Sequence, residues 1–252
     1  MTIKTVDEIR HMEKSCRLAG ETLRYAGKHV RAGMSTNELD KIVYDFILSN
    51  EATPSPLNYH GFPKSICTSI NDVICHGVPD ETVLKDGDII NVDVTVYKYG
   101  FHGDTSATFL VGDVSARAKA VTECAFNAMH KGIDAIEPNG YTGDIGFAVN
   151  KFVTGKGYFT VKEIGGHGIG REFHEDPFVP SFGKRGRGAR LKPWGTITVE
   201  PMVNESDKPF RECSIDNSSI KYYRTGDGTL SAQFEHTILI KDVGIEILTS
   251  ID

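Results

Sequence analysis

Apolar positions recur at helical spacing in two segments near the start of the chain and in two more around its middle. Over residues 5 to 30, Ile9, Met12, Cys16, Leu18, Ala19 and Leu23 punctuate a charged background at roughly helical intervals, and Gly33 stops the pattern. A second helix is expected from Ser35, which stands three residues before Glu38 as in a capping box; Leu39, Ile42, Val43, Phe46 and Ile47 supply its buried stripe, with an end near Asn50. Thr53 to Pro63, holding three prolines and one glycine, reads as an irregular linker. β-rich runs follow at SICTSI and at DIINVDVTVYKYGFHGDTSATFLVG, the second patterned as a hairpin. Helical spacing returns from Ser115 to Gly132 through Ala118, Val121, Ala125, Ala128 and Met129, and a shorter helix opens at Thr142. TVKEIGGHGI, TITVEPMV and LSAQFEHTILI then form a second β-rich stretch.

The two stretches echo each other. Gly33, Ser35, Ile42 and Phe46 recur as Gly140, Thr142, Val149 and Val153, an offset of 140 − 33 = 107. The expectation is an α/β (α+β) fold: one domain of two similar halves, approximately 1–112 and 113–252, with helices on one face of a curved, mainly antiparallel central sheet. A Rossmann alternation is excluded, because residues 60 to 112 lack interleaved helices.

Composition narrows the function classes. With 28 basic against 34 acidic residues, the net charge of −6 gives no general pull toward nucleic-acid phosphates. No apolar run reaches a membrane-spanning length, and MTIKTVDEIRHME carries charges where a signal peptide has its apolar core, so a cytoplasmic, membrane-free protein is expected. Five scattered cysteines without a CxxC pair indicate neither a disulfide framework nor a thiolate zinc site. IGGHGIGR matches neither nucleotide-binding glycine motif, so no nucleotide cofactor is expected. The basic run GKRGRGAR at 183–190 reads first as a solvated loop, with contact to ribosomal RNA as the alternative.

Chemistry is concentrated in acidic residues placed inside apolar strands. A hairpin turn centred between Lys98 and Tyr99 would set Asp93 directly opposite Asp104, about 5 Å apart on one face. Two ionised carboxylates there repel, and a cation relieves both the repulsion and the desolvation. The alternative for this pair is one turn-capping and one solvated aspartate. Glu200 ends TITVE, and Glu235 lies inside LSAQFEHTILI with Phe234 and His236 on the opposite face. His167 sits among glycines that permit close backbone approach. Four carboxylates and one imidazole could hold two divalent ions about 3.5 to 4 Å apart for hydrolysis by an activated water, and the imidazole biases the site toward transition metals over magnesium. His76 and His174, each beside a sharp turn, are candidates to donate to a scissile amide and its developing oxyanion, with hydrogen-bonded structural histidines as the alternative. On the residues alone, a different metal hydrolase and a structural binding domain stay open.

In order along the chain, Asp93, Asp104, His167, Glu200 and Glu235 resemble the metal site of type I methionine aminopeptidases. The supporting motifs are YHGFPKSICTSINDVICHGVPD, DGDIINVDVTVYKYGFHGDTSATF, GGHGIGREFHEDP, TITVEPMV and LSAQFEHTILI. The resemblance implies the pita-bread fold and two divalent ions (cobalt, manganese, iron or zinc), with Asp104 and Glu235 bridging and His167 and Glu200 binding one ion. It implies that His76 contacts the scissile amide nitrogen or substrate backbone and His174 the carbonyl oxygen, that Glu200 shuttles protons, and that Tyr59, Phe62, Cys67 and Phe173 form the methionine pocket. A sodium or potassium ion near Asn71, Val73 and Ser231 is a further implication. The implied substrates are N-terminal methionyl peptides and nascent proteins, cleaved by a monomer with transient ribosome contact. Two departures stand out: SSIKYYRTGDG offers Tyr222 or Tyr223 where the family has a wall tryptophan, and Trp194 occupies a position that is commonly glycine.

Overall fold

Polar side chains take up the free N–H groups where both N-terminal helices begin. In the computed structural model, which describes residues 1 to 250, α1 (Val6–His29) starts behind a Thr5–Glu8 capping box. α2 (Thr36–Ser49) starts behind the Ser35–Glu38 box read from the sequence. Ser35 Oγ accepts from the Glu38 N–H at 3.1 Å, and Glu38 answers by accepting from the Ser35 N–H at 2.7 Å.

The strands that follow are β1 (Thr53–Pro54), β2 (Cys67–Ile70), β3 (Val73–Cys75), β4 (Ile89–Lys98) and β5 (Phe101–Leu110). Next come α3 (Ala116–Asp134) and α4 (Thr142–Gly155), then β6 (Phe159–Thr160), β7 (Gly166–Gly168), β8 (Glu175–Val179), β9 (Thr196–Val199) and β10 (Met202–Asn204). The chain continues through β11 (Arg211–Ser214), β12 (Lys221–Arg224), β13 (Ser231–Gln233), β14 (His236–Ile240) and β15 (Ile245–Ile247). β3, β11, β12 and β15 are too short to announce themselves as alternating runs. The linker after α2 contains the two-residue β1 and a 3-10 turn at Tyr59–Gly61.

Pairing among the described strands is antiparallel. β4 carries β5 along one edge and β2 and β1 along the other, while β15-β14-β9-β7-β8 form a five-stranded sheet. On β4, alternate residues Ile90, Val92, Val94 and Val96 are buried in a core shared with Leu18, Leu39, Val43 and Ile47 of α1 and α2. The period of two turns Asn91, Asp93 and Thr95 to the face away from those helices. α3 and α4 cover the other sheets, with Val121, Ala125, Met129, Val149 and Val153 packed with Ile197, Val199, Val203 and Ile238. No described helix is long and apolar enough to cross a membrane.

The sheets meet at a polar seam. Ser106 and Glu235 exchange backbone hydrogen bonds, the Thr105 hydroxyl donates to Glu235 O at 2.8 Å, and Asn91 and Thr108 donate to Gln233 O. Thr237 Oγ1 accepts from the Asp104 N–H and donates to Asp104 O. β13 and β14 break at Phe234–Glu235 along this seam, so Glu235 lies between two strands and not inside one continuous strand.

The hairpin register differs from the expected one. Asp104 pairs with Thr95, and Asp93 pairs with Ser106 and, on its other side, with Cys67. The turn is Tyr99–Gly100, both with positive φ, a shape that suits the twist of a tight hairpin. This moves the register by two, so the aspartates become diagonal neighbours. A two-residue shift preserves the face, which is why both still project into the same basin.

Candidate metal centre

Glycine lets the second-half strands close around His167. A Cβ on Gly166 would fall 2.3 Å from Thr198 O and one on Gly168 2.3 Å from Asp176 O, so β7 fits between β9 and β8 only with bare backbone on both sides of the histidine. His167 Nδ1 donates to Gly168 O at 2.9 Å, which leaves the Nε2 lone pair pointing inward. It faces Asp104 Oδ2 at 3.7 Å and Glu200 Oε1 at 3.6 Å. Burial pushes this imidazole down to about 4, so the contacts are lone pair against carboxylate and not ion pairs.

Among the described residues, the carboxylates have no Lys or Arg partner. Burial pushes Asp93 and Glu200 up to about 7. Asp104 rises well above the usual carboxylate range through burial and then the neighbouring Asp93, and Glu235 through burial and then Asp104 and Glu200. Surrounding donors orient them: Thr95 donates to Asp104 Oδ1 at 2.7 Å, Thr198 to Glu200 Oε1 at 2.8 Å and Gln233 to Glu200 Oε2 at 3.1 Å. Among the described residues, Glu235 Oε1 is buried without any hydrogen-bond partner. Ligand atoms of Asp104, His167 and Glu235 lie within 4.8 Å of one another. A buried carboxylate oxygen with no donor, grouped with other carboxylates and a neutral imidazole nitrogen, is the surrounding a divalent transition-metal ion satisfies. Thr95, Thr198 and Gln233 were missed in the sequence, although each stands two residues from a predicted ligand and therefore on its face of an extended chain.

These shifts fix the sign of a pH effect. Without metal, the folded chain binds protons on Asp93 and Glu200 up to about pH 7, whereas an unfolded chain releases them near 4. Folded-state pKa values raised in this way contribute stability at low pH that is lost as pH rises through the folded value. The metal-free protein is therefore expected to lose melting temperature between about pH 4 and 7, and a saturating divalent ion should cancel the loss. Thermal scans with and without chelator check this; equal slopes in both would contradict it.

The carboxylates floor a pocket of about 280 Å³. Its walls include Tyr59, Phe62, Cys67, His76, Phe173, His174, Phe178 and Ile220, together with Asp93, Asp104, His167, Glu200 and Glu235. Every predicted ligand, catalytic and methionine-pocket residue lines this one space. The missing tryptophan is a correction: Ile220 reaches the pocket, whereas Tyr222 packs behind it against the cluster of Phe62, Cys67 and Ile215. Tyr223 lies on a separate cluster with Ile74 and Cys75, its ring edge-on to His76. Trp194 adopts a left-handed conformation with φ 66, a strained setting for a bulky side chain.

His76 and His174 are held in opposite senses. His76 Nδ1 donates to Lys221 O at 3.1 Å, so Nε2 is an acceptor. Tyr59 Oη lies 2.9 Å from His174 Nδ1. A phenol donates better than it accepts, which places the His174 proton on Nε2. His174 is an exposed residue at the pocket mouth, yet its imidazole is pushed down to about 3, first by water lost to the surrounding rings and then by His167 and His76. The predicted monovalent-cation residues also come together: Asn71 O accepts from the Ser231 N–H at 2.9 Å, Val73 opens β3, and Ser231 Oγ is buried without a partner among the described residues.

An antiparallel basin of buried carboxylates and one imidazole beneath an apolar pocket defines a metal-dependent hydrolase. Residues 10–242 match the model of metallopeptidase family M24. The chain is 44% identical to a methionine aminopeptidase of Rickettsia prowazekii over 99% of this chain and 96% of that one, and 45% identical to one of Escherichia coli strain K12 over 99% and 94%. The crystal structure of methionine aminopeptidase from Rickettsia prowazekii superposes with a TM-score of 0.95 at 43% identity, covering 99% of this chain and all of the other. The chain belongs to metallopeptidase family M24, whose members use divalent metal.

Proposed function

We infer that this chain is a methionine aminopeptidase that removes the N-terminal methionine of peptides and nascent proteins when the second residue is small and uncharged. The carrying observation is the shared pocket: carboxylates and His167 form its floor, and an apolar wall with a buried thiol suits a flexible thioether. Asp93, Asp104, His167, Glu200 and Glu235 would hold two divalent ions. Such ions, when bound, supply Lewis acidity and lower the pKa of water.

The chain's own groups supply the remaining steps. The Nε2 acceptor of His76 takes the N–H of the scissile amide, and the Nε2–H of His174 donates to its carbonyl oxygen, where negative charge develops. Glu200, whose carboxylate lies in the pocket floor, accepts a proton from the attacking water and delivers it to the departing amine. His76 and His174 crowd the position after methionine, which selects small second residues. The enzyme is one catalytic domain of two related halves, approximately 1–112 and 113–252. Asn71, Val73 and Ser231 take a structural sodium or potassium ion, an assignment supported by the unpartnered Ser231 hydroxyl. A cytoplasmic monomer in transient contact with ribosomes fits the exposed basic run at 184–190.

Hydrolysis of Met-Ala-Ser, Met-Leu-Ser, Pro-Ala-Ser and acetyl-Met-Ala-Ser by metal-replete protein tests the assignment. Met-Ala-Ser should lead by about 10- to 200-fold over Met-Leu-Ser, within the range of pocket discrimination. Preference for the proline peptide, or unimpaired cleavage after acetylation, would overturn it. Cys67 lines the pocket as a thiol, since burial followed by the nearby Asp93 pushes its pKa well up. Cys67→Ala should therefore change KM and side-chain selectivity while metal-dependent turnover survives; total loss of activity in a folded, metal-loaded variant would point to a covalent route.

A further inference from the structure

The turn at 170–175 that presents Phe173 and His174 is held from beneath by residues far away in sequence. Lys4 and Glu175 form a buried ion pair, Nζ to Oε2 3.3 Å, with side chains 2% and 10% exposed. Glu175 directly follows His174, and its other oxygen accepts from the Glu172 N–H at 3.4 Å, so one carboxylate spans the turn carrying both pocket residues. Lys4 is itself fixed, its backbone N–H donating to Trp194 O at 2.9 Å. Gly170 sits directly on the lysine stem, where a Cβ would fall 2.5 Å from Lys4 Cε, and its carbonyl accepts from the His102 N–H at 2.8 Å. A second tie, Arg171 to Glu8 at 3.0 Å, has its arginine 62% exposed and is screened by water.

We propose that Lys4 is a positioning residue for the aminopeptidase reaction, holding the 170–175 turn down so that the His174 imidazole and Phe173 ring face the pocket. The proposal rests on the reading of His174 as donor to the substrate carbonyl. Without the ammonium group, Glu175 becomes a buried carboxylate with no counter-charge, and burial of a lone charge is strongly unfavourable. Outward movement of the turn would hydrate that carboxylate and carry His174 with it. A neutral pair of similar shape removes the need for the movement.

The test uses the full chain loaded with metal. Lys4→Met should lower kcat for Met-Ala-Ser by about tenfold or more with metal content unchanged, and Lys4→Arg should largely preserve it. Lys4→Met combined with Glu175→Gln should recover to within about threefold of wild type. In a His174→Ala background, Lys4→Met should lower kcat by less than about twofold, because the donor it positions is already gone, and displacement of the Phe173 wall should appear in KM instead. Amide hydrogen exchange across 170–175 should rise in Lys4→Met and fall back in the neutral pair. Multiplying costs in the His174→Ala background, no recovery in the neutral pair, or unchanged exchange would each overturn the positioning role. A wild-type chain inert toward Met-Ala-Ser would instead overturn the aminopeptidase reading, while the exchange measurement would still decide the placement of the turn.

Discussion

Asp104→Asn is expected to weaken metal retention by at least about a hundredfold, since even outer partners of a metal ligand are commonly worth about 10- to 100-fold. Turnover should fall with it. Asp104 Oδ1 is already tied to the Thr95 hydroxyl, and Oδ2 is the oxygen facing His167 Nε2, so an amide there replaces a charged acceptor with a neutral group. The stability effect runs the other way. Asp104 is pushed far above the ordinary carboxylate range by burial and by Asp93, so ionising it costs the metal-free fold. Without metal at pH 8 the variant should melt at the same temperature as wild type or above it, and addition of a divalent ion should raise wild type alone. Metal analysis and thermal scans read both halves. A variant that keeps full metal, or that is destabilised without metal, would remove Asp104 from the centre.

The second large effect is on turnover with metal in place. His174→Ala should reduce kcat by about 10²- to 10³-fold, the usual cost of deleting one donor to a developing oxyanion, while metal content and melting temperature stay close to wild type. The imidazole lies outside the cluster of Asp104, His167 and Glu235 ligand atoms and owes its orientation to Tyr59. Tyr59→Phe should produce a smaller loss of about tenfold, the ring remaining in the wall while the hydrogen bond that sets the tautomer is gone. Steady-state kinetics alongside metal analysis separates the roles. Loss of metal in His174→Ala would make it a ligand, and full activity would leave it without a role in the reaction.

The elements that could be read from the residues are those governed by near neighbours. The Ser35–Glu38 capping box forms because its partners are three residues apart, and the apolar stripes of α1 to α3 are set by helical spacing. Asp93 and Asp104 reach the same basin although the turn falls one residue later than the pattern predicts, because their alternation survives a register shift of two. Glu200 and Glu235 stood out as charges in apolar strands, and such charges need a compensating partner wherever the strands go.

What is settled over long sequence distances could not be read in this way. Glu235 is placed by a bridge to Ser106, and its strand breaks there because the seam takes its backbone groups. Ile220, not Tyr222 or Tyr223, fills the wall, since the path of the chain into β12 decides which side chain faces the pocket. The tautomers of His76 and His174 depend on Lys221 O and Tyr59, at separations of 145 and 115 residues. Lys4 looks like one more surface lysine until the fold buries it on Glu175. Periodicity and residue chemistry thus specify which face a side chain occupies and what charge it brings, for these are local properties of an extended or helical backbone. Which groups meet there, and with which proton or lone pair, follows from the packing of segments more than a hundred residues apart, where buried charges and unpaired polar atoms must find partners.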